Sequence, residues 1–138
     1  IDRKAQNILL NMAKILIVDD NKSSREVLRK IFIKNNYQVI MNSSALGAID
    51  TLKSNSDIDL LVSDIVMPEM DGVALIETLF NQLRNRKLSI LIYSASLKIK
   101  HATHLLEKGV TAFLYKPFKT EEILYYSQLA LKQPIQFN

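Results

Sequence analysis

Cysteine is absent from the 138 residues, which excludes disulfides and thiolate metal sites. Glycine and proline are scarce, at three each, while 48% of residues are hydrophobic and 23% charged. Such a composition belongs to a packed chain and not to a disordered or low-complexity one. No apolar run approaches the length of a membrane span, because Asn, Asp or Lys interrupts each of them. The opening IDRKAQNILLNMAK lacks the apolar core and small-residue cleavage site of a signal peptide, so a cytoplasmic protein is expected. Charge of one sign is also weak. The net +4 is spread along the chain and reads as a solvated surface, with no direct nucleic-acid or membrane binding expected.

What is present is an alternation. Short runs rich in Ile, Leu and Val occupy residues 15–18, 39–41, 60–62, 90–93 and 112–115. The runs at 15–18, 60–62 and 90–93 are nearly continuous, as strands covered on both faces of a parallel sheet require. Between the runs lie stripes at helical spacing: Val27, Leu28, Ile31 and Phe32; Ala45, Ala48, Ile49 and Leu52; Val73, Ile76, Leu79, Phe80 and Leu83; Ala102, Leu105 and Leu106; Ile123, Tyr126, Leu129 and Ala130. Asn21 and Ser44 stand where helix N-caps belong, and Gly109 just past a helix end. The pattern predicts a doubly wound (βα)5 α/β fold over residues 13–133. Residues 1–12 are expected to be an extension or linker remnant, with Met12-Ala13-Lys14 resembling a natural start. Residues 134–138, behind the stop at Pro134, are expected to be a peripheral tail.

Polar residues fall where the strands end. Asp19 and Asp20 close the first strand, Asp64 the third, Ser94 the fourth and Lys116 the fifth. In a doubly wound sheet this edge is where ligands bind. Carboxylates crowded there repel one another unless a cation sits among them, and all-oxygen ligands suit Mg²⁺. A carboxylate beside such an ion is a competent nucleophile towards phosphorus. A cation, a Lys and a hydroxyl aimed at phosphoryl oxygens are the parts that phosphoryl transfer needs.

The segments ILIVDDN (15–21), LLVSDIVMPEMDG (60–72), ILIYSAS (90–96) and GVTAFLYKPF (109–118) together resemble the receiver domain of two-component response regulators. Asp20, Asp64, Ser94 and Lys116 follow one another at intervals of 44, 30 and 22 residues, which also fit that family. The resemblance implies a flavodoxin-like sheet of order 2-1-3-4-5, with Asp64 as phosphoacceptor. It implies Mg²⁺ held by Asp19, Asp20, Asp64 and the backbone carbonyl of Val66. Ser94 matches the hydroxyl that bonds the phosphoryl group, and Lys116 the ammonium that pairs with Asp64 and then with the phosphate. Phe113 stands at the aromatic switch position, and the Lys116–Pro117 bond is expected to be cis. Met67-Pro68 and Asp71-Gly72 shape the loop and start the third helix by turn chemistry. The small, uncharged Val66 and Ser96 supply no group to orient an attacking water.

The function implied is a phosphoacceptor module, not an enzyme with a separate substrate. It would take its phosphoryl group from a histidine kinase or histidine phosphotransfer protein. It would then act on a downstream protein or a second copy through the face formed by the fourth helix, fifth strand and fifth helix, including Lys98, Lys119 and Tyr126. Alternatives are a pseudo-receiver that binds partners without phosphorylation, or the receiver module of a hybrid kinase. A haloacid dehalogenase-like phosphatase needs a second Asp where Val66 stands. A flavodoxin-type carrier needs a hydroxyl- and Gly-rich loop where DDNKSSRE stands. His101 and His104 are read as a solvated helix face, with no third metal ligand nearby. Lys22, Arg25, Arg29 and Lys30 serve either helix solubility or partner docking. Of Tyr125 and Tyr126, one must be exposed.

Overall fold

The computed structural model describes residues 12–138. Its elements are β1 (Lys14–Val18), α1 (Lys22–Lys34), β2 (Gln38–Asn42), α2 (Ala45–Ser54), β3 (Leu60–Asp64), α3 (Gly72–Gln82), β4 (Arg86–Ser94), α4 (Ile99–Glu107), β5 (Ala112–Tyr115), α5 (Thr120–Leu131) and β6 (Ile135–Phe137). The first five strands are parallel in the order β2-β1-β3-β4-β5, the flavodoxin-like arrangement. Except for Met12, the segment expected to be an extension lies outside the described residues.

Period-two alternation along each strand divides the core into two layers. Ile15, Ile17, Leu60, Val62, Leu91 and Leu114 pack against Leu28 and Phe32 of α1 and Ile123 and Ala130 of α5. Leu16, Val18, Leu61, Ile90 and Ile92 pack against α2, α3 and α4. Strand β3 is buried at every residue, which is why its sequence is almost unbroken in apolar character. The helix ends follow the sequence. Asn21 Oδ1 accepts from Ser24 N–H, Ser44 Oγ from Gly47 N–H, and Gly109 closes α4 at φ 98°.

The tail differs from expectation. Residues 135–137 form β6, which runs antiparallel to Arg86, Lys87 and Leu88 at the start of β4. Ile135 and Phe137 are buried, and the Phe137 ring lies 4.5 Å from that of Phe80. Pro134 ends α5 but does not end the fold. Strand β4 is likewise longer than the run at 90–93. Its first residue, Arg86, donates to the carbonyls of Leu52 and Ile58, so a charged side chain serves the backbone of the α2–β3 connection.

Candidate functional site

The same alternation that builds the α1/α5 layer carries it up to the sheet edge. Two residues beyond Ile17, Val62 and Leu114 come Asp19, Asp64 and Lys116, and two beyond Leu91 comes Tyr93. These four side chains meet. Lys116 Nζ donates to Asp64 Oδ2 at 2.8 Å and to Asp19 Oδ2 at 3.4 Å. Asp19 is 1% exposed and Asp64 7%, so the ammonium offsets carboxylate charge that water reaches poorly. The remaining oxygens are held by backbone: Asn21 N–H donates to Asp19 Oδ1 at 2.9 Å and Val66 N–H to Asp64 Oδ1 at 3.1 Å. The Lys116–Pro117 bond is cis, as expected.

Asp20 is exposed beside this cluster, near enough that its charge, with those of Asp19 and Asp64, acts on Tyr93. Among the described residues no three acidic or imidazole side chains converge to cage an ion. Of the three carboxylates, Asp19 and Asp64 share the ammonium of Lys116, while Asp20 lies on the exposed side. The donor set still fits a hard divalent ion. It consists of carboxylate and carbonyl oxygens with few protein ligands, the kind of site in which Mg²⁺ keeps several waters.

Ser94 is buried, and its Oγ accepts from Ser96 N–H at 3.1 Å. Its register partner on β5 is Tyr115, which is exposed, while Phe113 sits two pairs lower, opposite Ile92. Phe113 is partly buried against the α2–α4 layer. The loop between β3 and α3 is set by close approach. A Cβ on Gly72 would meet Asp64 O at 2.8 Å and Ile65 Cα at 2.9 Å. Asp71 caps α3, with its Oδ1 accepting from Ala74 N–H. Val66 and Ser96 are exposed at the rim.

Tyr93 had no place in the sequence reading beyond ending an apolar run. Its hydroxyl donates to Asp19 Oδ2 at 2.6 Å, and its ring lies 4.6 Å from Lys116 Nζ. Burial, the bond to Asp19 and the charges of Asp19, Asp64 and Asp20 hold the phenol far above its ordinary range, so it stays protonated and donates. The available signal was a hydroxyl-bearing aromatic directly before Ser94 in a strand of Ile and Leu. Beside it opens a cleft of about 470 Å³, walled by Val27, Leu28, Tyr93 and Phe118 and floored by Lys116. Val27, read as part of the core stripe of α1, is exposed there.

Of the other polar candidates, only Arg25 touches a residue of this cluster among the described residues. His104 Nε2 is bonded to Glu77 Oε1 at 2.5 Å, tying α4 to α3, and among the described residues no third acidic or imidazole side chain joins His101 and His104 in a group that could hold a metal ion. Arg25 donates to the carbonyl of Asp19 at 2.8 Å, whereas Lys22 and Lys30 are exposed on α1 and Arg29 pairs with Glu26. Tyr125 is the exposed member of its pair, and Tyr126 is packed against the core.

A family model for the response regulator receiver domain matches residues 15–127. The chain belongs to that family. Among similar curated proteins is the response regulator MprA of Mycobacterium avium, 33% identical over 122 residues, an alignment covering 87% of this chain and 51% of that protein. The chain thus spans about half the length of the curated relatives it matches. Among solved structures, a putative two-component system response regulator/GGDEF domain protein superposes with TM-score 0.81 at 31% identity, covering 91% of this chain and 51% of that one. A CheY-like receiver domain protein from Methanospirillum hungatei has TM-score 0.80 at 21% identity, covering 88% and 94%, a likeness of fold. As a receiver domain the chain is of the signalling class that serves two-component systems, and domains of this family generally bind Mg²⁺ at the acidic pocket. No helix among the described residues is long and apolar enough to cross a membrane.

Proposed function

We propose that Asp64 of this receiver domain accepts a phosphoryl group from a histidine kinase or histidine phosphotransfer protein, and that its acceptance alters a protein-binding face. The observation that carries this reading is the Lys116–Asp64 contact at 2.8 Å, made at a sheet edge where Asp19 faces the same ammonium. A carboxylate oxygen of Asp64 forms the new bond to phosphorus as the P–N bond to the partner's imidazole breaks, with the electron pair remaining on that nitrogen. Asp19, Asp20, Asp64 and the Val66 carbonyl would hold Mg²⁺, whose chemistry here is to neutralise phosphoryl-oxygen charge.

Lys116 then has an anionic oxygen on the phosphoryl group to pair with in place of Asp64 Oδ2. Ser94 keeps its hydroxyl proton, since its Oγ serves as an acceptor for Ser96 N–H, and can donate it to the same group. Drawing Ser94 upward frees space on the face it shares with Phe113, and burying a Phe ring fully is worth about 1.5–3 kcal/mol. That is the scale needed to shift a two-state equilibrium by one to two decades. The face that responds is α4, β5 and α5, where Ile99, Leu106, Tyr115 and Tyr125 are exposed. A downstream protein or a second copy would bind there, and the setting is the cytoplasm.

Incubation with Mg²⁺ and acetyl phosphate tests the reading. One hydroxylamine-labile phosphoryl group should appear, and chelation or Asp64→Asn should abolish it. Stoichiometric labelling of Asp64→Asn would contradict the assignment.

A further inference from the structure

Tyr93 is the buried group at the site to which the proposed chemistry gives no task. Filling the space would need only a Leu or Ile, like those that precede it in β4. Instead a phenol reaches from the α1/α5 layer to the sheet edge and touches two charged groups at once. Its bond to Asp19 Oδ2, at 2.6 Å, is a short, charge-assisted one. Lys116 reaches the same oxygen only at 3.4 Å and stands closer, at 2.8 Å, to Asp64. The ring supports the ammonium by its π face at 4.6 Å, and Phe118 meets it edge-on at 6.2 Å between centroids.

The geometry points to Tyr93 as a positioning residue that fixes Asp19 for a divalent cation and steers Lys116 towards Asp64. This rests on the reading of the pocket given under Proposed function. Asp19 is held at Oδ1 by Asn21 N–H and at Oδ2 by the phenol, so its carboxylate has one orientation. Without the hydroxyl, Oδ2 retains Lys116 as its partner. The ammonium is then drawn off Asp64 and competes with an incoming cation for Asp19. That competition at Asp19, together with the loss of its fixed orientation, weakens cation binding, and loss of a group that orients a metal ligand typically costs 10–100-fold in affinity.

Tyr93→Phe removes the hydroxyl and keeps the ring. Mg²⁺ titrations of the metal-free proteins, followed through the amide resonances of Asn21 and Val66, should give a dissociation constant about tenfold higher in Tyr93→Phe than in wild type. In an Asp19→Ala background the same substitution should change Mg²⁺ affinity no further, because the effect acts through Asp19. A filling role alone would leave both titrations unmoved. In the wild type, the ε-methylene protons of Lys116 should be shifted upfield by the ring beneath them, a readout independent of whether any variant folds. Equal Mg²⁺ affinity of wild type and Tyr93→Phe, an undiminished effect in Asp19→Ala, or an unshifted Lys116 would each overturn the inference while leaving Asp64 as acceptor. A wild type that binds no Mg²⁺ and takes no label would overturn the function itself, and this inference with it.

Discussion

Lys116, at the end of β5, holds its ammonium 2.8 Å from Oδ2 of Asp64, at the end of β3. The two strands are not neighbours; β4 lies between them. The contact therefore spans the sheet edge and depends on all three strands keeping their register. Its balance is electrostatic: two carboxylates, of Asp19 and Asp64, share one ammonium.

Removing that ammonium leaves the carboxylates uncompensated. Breaking a fully buried pair costs about 3–5 kcal/mol, and the partial exposure of Lys116 brings the expectation for Lys116→Ala to about 2 kcal/mol without metal. Saturating Mg²⁺ should restore more stability to the variant than it adds to wild type. Urea unfolding with and without Mg²⁺ measures both, and an unchanged metal-free midpoint would count against the pairing.

Gly72 tests how the loop supports the acceptor. An added Cβ would press on the carbonyl of Asp64 and the Cα of Ile65, both backbone, which cannot swing aside. Gly72→Ala should destabilise by about 1–3 kcal/mol. It should also shift the Asp64 and Val66 amide resonances. A variant as stable as wild type, with those resonances in place, would show that the loop yields.

The tail offers a stability test far from the chemistry. Phe137 is buried against Phe80, and Phe→Ala changes in cores cost about 3–5 kcal/mol. Phe137→Ala should fall near the lower figure, because a three-residue strand can collapse into the space it leaves. A loss under about 1 kcal/mol would show β6 to be loosely held.

Alkaline titration probes the buried phenols. Burial raises both Tyr37 and Tyr93 above the ordinary value of about 10. The folded chain therefore keeps protons that the unfolded chain releases. Their contribution to stability is complete below about pH 10 and is lost as pH rises above it. Urea midpoints measured through this range should fall, and Tyr93→Phe should fall less steeply. Parallel curves would mean that Tyr93 titrates alike in both states.

The parts that were legible in the sequence share a cause. Strands β1 and β3 are covered on both faces, so burial left its mark on every residue. Asp19 and Asp64 break those runs at their ends, where a polar residue has few other reasons to stand. Less legible were features set by tertiary partners. Arg86 opens β4 with a charge because its guanidinium serves carbonyls of the α2–β3 connection. Strand β6 has three residues, too few for its alternation to register behind Pro134. Val27 lies on the apolar stripe of α1 yet lines an open cleft. Tyr93 hid within an apolar run because its ring belongs to the core and only its hydroxyl reaches the site. Just beyond β1 Asp19 is buried and Asp20 exposed, a difference that two adjacent carboxylates do not announce in the sequence.

The central claim is that the phosphoryl group is bonded to Asp64 itself. Reduction of the phosphorylated protein with borohydride converts an aspartyl phosphate to homoserine, and peptide mass spectrometry then locates it. Homoserine at position 64, dependent on Mg²⁺ and donor, is the result predicted. Homoserine at position 19 or 20, or at none of the three in a protein that has taken up phosphate, would contradict the account.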